Sequence, residues 1–260
     1  MRYFSVAYRP LEWRMPAFME VVSAAPVGDG VTDIAAPYPT LAGRDRVLGE
    51  YATLFALRRV LQDAHARGES TSSDMVGISH YRRFTVTRPT GAPSFVYRVV
   101  KPHEFTKLSR DRFIPRNGTL MFPSPMQVAP SLLQHYAHYH VARDLLLFMA
   151  LAIDLGLVTG EQVASWLDGK VMVPAPAIGI YPESWFIETQ VALESVVEAF
   201  ESTVAVEREG YQRRSIAFLL ERLHGLLLSM LVEGWPKDQM IANPALLVSA
   251  DGVYHPGGTG

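Results

Sequence analysis

The sequence predicts an α/β protein with a mainly parallel central sheet and a more helical C-terminal half, on three observations. Tyr3 to Ala7 alternates loosely and is rich in strand formers. Across Arg46 to Arg67, Leu48, Tyr51, Leu54, Phe55 and Leu61 recur at three- and four-residue spacing, which is the period of an amphipathic helix. Val76-Gly77-Ile78 is then an apolar run that reads as a buried strand. Strand, long helix and strand in that order make an α/β unit whose two strands lie parallel.

The chain of 260 residues is long enough for a sizeable core, and 48% hydrophobic against 19% charged residues is the balance of a folded protein. Residues 1–233 read as a single domain and residues 234–260 as a Pro/Gly-rich, loosely held tail, with Gly257 to Gly260 disordered. A net charge of −2 lacks the basic footprint of a nucleic-acid binder, so any anion site must be local. With no cysteine there is no disulfide, thiolate metal site or cysteine nucleophile, which fits a reducing cytoplasm. Met1 to Ala7 is too short and too soon interrupted for a signal peptide. The apolar run Leu145 to Ile153, bracketed by Asp144 and Asp154, falls short of a membrane span and reads as a buried helix. A soluble protein without a transmembrane segment is expected.

The first strand ends at Tyr8-Arg9-Pro10, where proline stops it. Ala24 to Gly43, with Pro26, Gly28, Gly30, Pro37 and Pro39, predicts a long irregular loop with Asp33 in its middle. The helix over 46–67 stops at Gly68, and Glu69 to Asp74 is a polar connector to the Val76 strand. Thr85 to Asn117, punctuated by prolines, predicts an irregular excursion with short elements, and Gly118 to Pro123 another strand. Ser131 to Leu155 predicts one helix that stops at Gly156. Thr159-Gly160-Glu161-Gln162 is a capping box opening a shorter helix that ends at Gly169. Two short strands over 171–173 and 178–181 and two long helices over 183–204 and 211–232 complete the domain.

Three clusters carry chemistry. At the exit of the Val76 strand stand His80-Tyr81-Arg82-Arg83. Ligands of open α/β sheets bind at the carboxyl ends of strands, and a guanidinium forks onto phosphate oxygens. On these residues alone, a phosphate site and two solvated arginines are equally good readings. Within six residues fall His135, His138 and His140, with Tyr136 and Tyr139 between them. His135 and His138 share a helix face and His140 turns away from it. This spacing lacks the His-Glu-x-x-His of a zinc helix, so it reads as pocket lining or as a bystander face. Glu221-Arg222 sits among leucines in Phe218-Leu219-Leu220-Glu221-Arg222-Leu223, where a charged pair needs partners. Glu221 is there either a structural partner of Arg214 or Arg222 or a general base. Glu50, in the first turns of its helix, reads as a surface carboxylate compatible with the helix dipole. The chain has no dinucleotide or Walker A glycine fingerprint, no Gly-x-Ser-x-Gly and no Asp-x-Asp.

Five blocks in collinear order carry a family resemblance. They are Ala7-Tyr8-Arg9-Pro10, Leu48 to Leu54 with Glu50, Val76 to Phe84, His135 to His140 with Asp144-Leu145, and Tyr211 to Leu223. Together they resemble a bacterial glycosyltransferase family known from capsular-polysaccharide and lipopolysaccharide gene clusters, first catalogued as a domain of unknown function. The chain departs from that family in having Tyr8 and Arg9 where His and Lys are usual, and in lacking an Asn-Met within 176–181.

The resemblance implies a GT-A-like fold, a Rossmann-type α/β/α sandwich that binds a nucleotide sugar such as a UDP-sugar. The acceptor would be a glycan, a lipid-linked sugar or a small molecule. It places Tyr8, Arg9 and Asp33 near the nucleotide, His80, Tyr81, Arg82 and Arg83 on the diphosphate, and Glu50 on a donor hydroxyl or an arginine. Glu221 becomes the general base, oriented by Arg222 or Arg214, and His135, Tyr136, His138 and His140 line the pocket. Many GT-A enzymes hold a divalent metal with Asp-x-Asp at the end of the strand where this chain has His-Tyr-Arg-Arg. Fixed cationic side chains are therefore expected in place of Mn or Mg. A cytoplasmic enzyme able to sit at the inner membrane face is implied. The rival readings are a non-catalytic nucleotide-sugar or glycan-binding module and a phosphate-handling hydrolase. The hydrolase lacks its nucleophile motif.

Overall fold

The computed structural model describes residues 1–69, 74–116, 118–204 and 208–254. Strand β1 (Arg2–Val6) is joined side by side and parallel by β2 (Glu20–Ser23), which in turn carries the short β3 (Thr32–Asp33). The segment expected to be an irregular loop thus adds a strand at the sheet edge, and Asp33 lies on it. Glycine and proline punctuation hid the short β3 because pairing to β2, not local propensity, holds it.

The helix expected over 46–67 is two pieces, α1 (Asp45–Leu48) and α2 (Tyr51–Ala66). Between them Gly49 adopts φ 58° and ψ −136°. A Cβ there would sit 3.1 Å from a guanidinium nitrogen of Arg214 and 3.2 Å from the Cβ of Ala217. Only glycine permits that backbone and that approach. Helix α2 leads to β4 (Met75–His80), which lies parallel to β1 with Phe4 opposite Ile78 and Val6 opposite His80. Gly77 is needed where β4 passes the Tyr3 ring, since a Cβ would come within 2.3 Å of it. Most of the predicted polar connector, residues 70–73, lies outside the described residues.

Strand β5 (Arg83–Phe84) doubles back from β4. The excursion that follows holds only short elements, as its prolines predict: β6 (Ala92–Ser94), β7 (Tyr97–Val100) and the one-turn α3 (Pro102–Phe105). Next come β8 (Leu120–Pro123) and β9 (Met126–Gln127). The single helix predicted over 131–155 is α4 (Leu132–Tyr139) and α5 (Ala142–Asp154), broken at His140, whose backbone is extended. No glycine or proline marks this break. Tertiary contacts supply it, as the His140 ring stacks 4.2 Å from Phe218 and buried Asp144, in the first turn of α5, pairs with Arg208 at 2.6 Å.

The capping box opens α6 (Gly160–Asp168) as predicted, with Gln162 N donating to Thr159 Oγ1 at 3.2 Å and Thr159 N to Gln162 Oε1 at 2.8 Å. Then follow β10 (Val171–Met172), β11 (Gly179–Pro182) and α7 (Glu183–Thr203). A 3₁₀ turn over Gly210–Arg214 enters α8 (Ser215–Gly234).

The expected loose tail contributes two strands to the sheet. Residues of β12 (Met240–Asn243) pair in parallel with β8, and β13 (Ala245–Val248) lies between β5 and β7. Strands past residue 233 therefore belong to the same sheet. Ala245-Leu246-Leu247-Val248 is a continuous apolar run, the pattern of a strand buried on both faces, and all four residues are buried. The glycines expected to be disordered, 257–260, lie outside the described residues.

The main run of the sheet is β3-β2-β1-β4-β11-β8-β12, and β5-β13-β7-β6 continue from the end of β4. The four strands from β3 to β4 are mutually parallel, while β11 runs antiparallel to β4 and β8. Alternate residues face opposite layers. Phe4, Val6, Val76 and Ile78 pack with α2, α5, α7 and α8 in the larger core, and Tyr3 joins Phe84, Phe105 and Phe113 on the other side. Helix α8, with the preceding turn, is long and apolar enough to span a membrane by composition. Here Leu219, Leu220, Leu223, Leu226 and Leu228 are buried within the fold.

From β1 the chain steps outward through β2 and β3, and α2 then returns it to β4 on the other side of β1. The strand order reverses between β1 and β4. That is the crevice where open α/β sheets bind ligands.

Candidate functional site

Register brings the predicted residues to that crevice. Val6 lies opposite both Val22 and His80, so Ala7-Tyr8-Arg9 and Tyr81-Arg82 leave β1 and β4 side by side, and Arg83 opens β5 opposite His80. The Tyr8 ring meets His80 at 5.2 Å and Tyr81 edge-on at 5.3 Å. Trp13 stacks on Tyr81 at 6.1 Å, and the guanidiniums of Arg9 and Arg82 lie 5.1 and 5.8 Å from the same ring. Arg83 instead lies 5.6 Å over Tyr97. A cleft follows this edge, lined among others by Ala7, Tyr8, Ala24, Asp45, Gly49 and Glu50. A roomier cleft at the amino-terminal end of β4, against Met1, Asp74, Met75 and Arg116, holds none of the predicted residues.

His80 is buried, and its pKa is held well below the usual histidine value, first by burial and then by Arg83, Arg82, Arg214 and Arg9. Its ring is therefore neutral at pH 7. The Nε2 atom is 3.8 Å from Glu50 Oε2, too far for a hydrogen bond. Glu50 occupies the N-cap position of α2 but its side chain makes no cap hydrogen bond. With 26% of that side chain exposed, Glu50 is not the surface carboxylate its position in sequence suggested. Burial pushes its pKa up to about 7, against the pull of Arg83 and Arg214 and with a further push from Glu221.

Helix α8 supplies the opposite wall. Glu221 is half-buried and Arg222 buried, with Arg222 Nη1 3.6 Å from Glu221 Oε2, a contact longer than a hydrogen bond. The Arg222 guanidinium lies 5.7 Å over the ring of buried Tyr136. Burial, then Arg222, lowers the pKa of both His135 and His140, while Glu221 raises it. His140 joins the group despite its place on the helical wheel. It caps α4 in an extended conformation, so its ring packs against both Phe218 at 4.2 Å and Tyr211 at 5.8 Å, which also touch each other at 5.1 Å.

Two predicted residues stand apart. Asp33 accepts a hydrogen bond from Ala35 N at 3.0 Å, which ties it to its own turn. His138 is exposed and sits edge-on to Tyr139, facing away from Tyr136. Arg214 is exposed beside Gly49, at the rim. Reading by motif missed Tyr97 and Tyr254, which reach Arg83 through β7 and the C-terminal segment. Trp13 beneath Tyr81 was missed too. Tyr211, quoted within the α8 block, had no role assigned. Its place three residues before Arg214 was the one available cue.

Many buried polar atoms gather here without a hydrogen-bond partner in the protein. They include Nε of Arg9, Arg82 and Arg83, Nδ1 of His80 and His135, and Nε and Nη1 of Arg222. Buried polar groups are normally satisfied, so unsatisfied arginine donors beside this crevice suit an anionic, oxygen-rich ligand.

No family model matches the chain, and no curated protein matches it. Among solved structures it is similar to the apo structure of the WbbM bifunctional glycosyltransferase, with a TM-score of 0.76 over 99% of this chain at 15% identity. The chain spans about half of that protein, 47% of its length. The chain thus has a GT-A-like α/β fold.

Proposed function

We propose that the protein is a glycosyltransferase that moves a sugar from a nucleotide-sugar donor to a hydroxyl of a glycan or small-molecule acceptor. The observation that carries this reading is the setting of His80. Four arginines, Arg9, Arg82, Arg83 and Arg214, act on one neutral, buried histidine at the strand-order reversal. Charge builds on the diphosphate as the glycosidic bond to the leaving nucleotide breaks. Fixed donors aimed at that charge stabilise the transition state more than the ground state. Arg82 and Arg83 are assigned to the diphosphate, and His80 donates its single N–H to a phosphate or sugar oxygen. Tyr8 and Arg9 are assigned to the nucleotide side of the same edge. Glu221, across the crevice on α8, takes the acceptor proton, with Arg222 and Arg214 holding its carboxylate. Asp33, bonded into its turn, is assigned no direct part.

The fixed cations take the place of a divalent ion in this reading. A bound Mn or Mg would act as a Lewis acid on the same diphosphate. Glu50 and Glu221 stand among arginines, a setting that favours an anion over a cation. The test is release of nucleoside diphosphate from a panel of nucleotide sugars, with and without EDTA. Slow release unaffected by EDTA is expected. Activity lost to EDTA and restored by manganese rejects the metal-free reading, and binding without any release favours a non-catalytic module.

Glu50 gives a proton-linked prediction. Its pKa of about 7 leaves it mostly ionised near pH 8, and a diphosphate bound beside it disfavours the charged form, raising the pKa further. Binding of nucleoside diphosphate should then take up protons between about pH 7 and 8. Calorimetry in buffers of different ionisation enthalpy reads this uptake. It should be smaller in Glu50→Gln, and equal uptake in the two proteins rejects the coupling.

A further inference from the structure

Among the described residues, the two non-glycine residues with positive φ are Phe95, at 53°, and Ala175, at 49°. They converge on one place. Ala175 packs against the small cluster of Tyr97, Val99, Ile178, Ala245 and Leu247, and Val96, next to Phe95, packs against it too. Strained backbone that the surrounding structure holds in place is concentrated at functional sites.

Phe95 occupies the turn between β6 and β7, a position that usually calls for glycine, asparagine or aspartate. Instead it carries a large ring with 77% of its surface exposed. The ring lies parallel to Tyr254, 6.0 Å between centroids and 6° between planes, and Tyr254 meets Tyr97 at 4.9 Å. Tyr254 is tied to the same hairpin, its backbone N donating to Ser94 Oγ at 3.3 Å. Tyr97 in turn lies under Arg83 of the candidate site. A continuous aromatic path thus runs from the cationic crevice to an exposed flat ring.

We propose that Phe95 and Tyr254 form a stacking subsite for a pyranose unit of the acceptor glycan, one or more units beyond the sugar that reacts beside Arg83. A sugar ring presents a C–H face to an aromatic face while its hydroxyls stay hydrated, so an exposed ring with polar surroundings suits it. The platform is a single ring pair beside Ser94, with Arg83 beyond Tyr97, and not a broad apolar surface, which favours a glycan over a lipid. It also gives the strained turn a role, since the ring this turn carries stacks on Tyr254. The inference rests on the transferase reading for the direction of the acceptor.

The test is retention of immobilised hexopyranose oligosaccharides, from disaccharides to hexasaccharides, by the wild-type protein, Phe95→Gly and Phe95→Tyr. Glycine suits the turn, so Phe95→Gly should fold with an undiminished melting temperature. It should bind about tenfold more weakly, roughly the effect of losing one such contact. Phe95→Tyr, which keeps the ring, should bind as the wild type does. Equal retention by Phe95→Gly overturns the subsite, as does a wild-type protein that retains no oligosaccharide or that prefers phosphatidylcholine vesicles to glycans. Failure of the transferase reading is seen separately, as absence of nucleoside diphosphate release by the wild type. Glycan retention that depends on Phe95 would survive that result.

Discussion

Arg82→Ala should lower nucleoside diphosphate release by about 10²–10³-fold, the usual cost of removing one preorganised donor from a developing anion. Arg82 is the informative arginine because its other duties are few. Its guanidinium lies 5.8 Å over Tyr81, a contact of about 0.5–1 kcal/mol, and its Nε has no partner within the protein. Losing that contact should move the melting temperature by no more than about 2–4 °C. Arg83 is a poorer probe, since it counters Glu50 and packs on Tyr97, and its removal would leave a partly buried carboxylate uncompensated. Arg82→Lys should recover only part of the rate, because an ammonium cannot fork onto two oxygens. Near-normal turnover in a folded Arg82→Ala protein would reject a role on the diphosphate. Activity lost together with a large fall in melting temperature would mark Arg82 as structural.

Glu221→Gln should lower transfer to an acceptor by about 10²–10⁴-fold, the range that a positioned general base contributes. The amide keeps the size and the planar shape of the side chain but cannot take a proton. The competing reading makes Glu221 the counter-charge of Arg222. That pair is loose, at 3.6 Å, and Arg222 also lies over Tyr136, so the arginine retains a partner when Glu221 is neutral. The two readings predict different results. A base leaves nucleoside diphosphate affinity nearly unchanged while turnover collapses. A structural partner weakens stability and affinity together and spares turnover per bound donor. Turnover within a few-fold of wild type in a stable Glu221→Gln protein would falsify its role as the base.

Much of the path to this site is legible in the sequence. A strand at Tyr3, a helix of period 3.6 and an apolar tripeptide before His80 suffice for the parallel β1-α2-β4 unit, because burial of one helix face and one strand is written into their spacing. The capping box at Thr159 is legible for a similar reason, since both of its partners lie within four residues. Local chemistry of this kind depends on neighbours in the chain.

The tertiary structure decided what depends on distant partners. The break at His140 follows from stacking on Phe218 and from the Asp144–Arg208 pair, contacts that span many residues and carry no breaker signal. Strands β3 and β12 exist because a neighbouring edge completes their hydrogen bonds, so the glycine- and proline-rich composition around them misleads. Glu50 changes most. In sequence it is one more acid near a helix start. In the fold, Gly49 lets α8 close over it, and burial moves its pKa up to about 7 against the pull of Arg83 and Arg214. The sequence by itself determined which residues carry charge at the strand exit. Only the fold determined which of them lose water together, and desolvation is what turns a cluster of charges into a site.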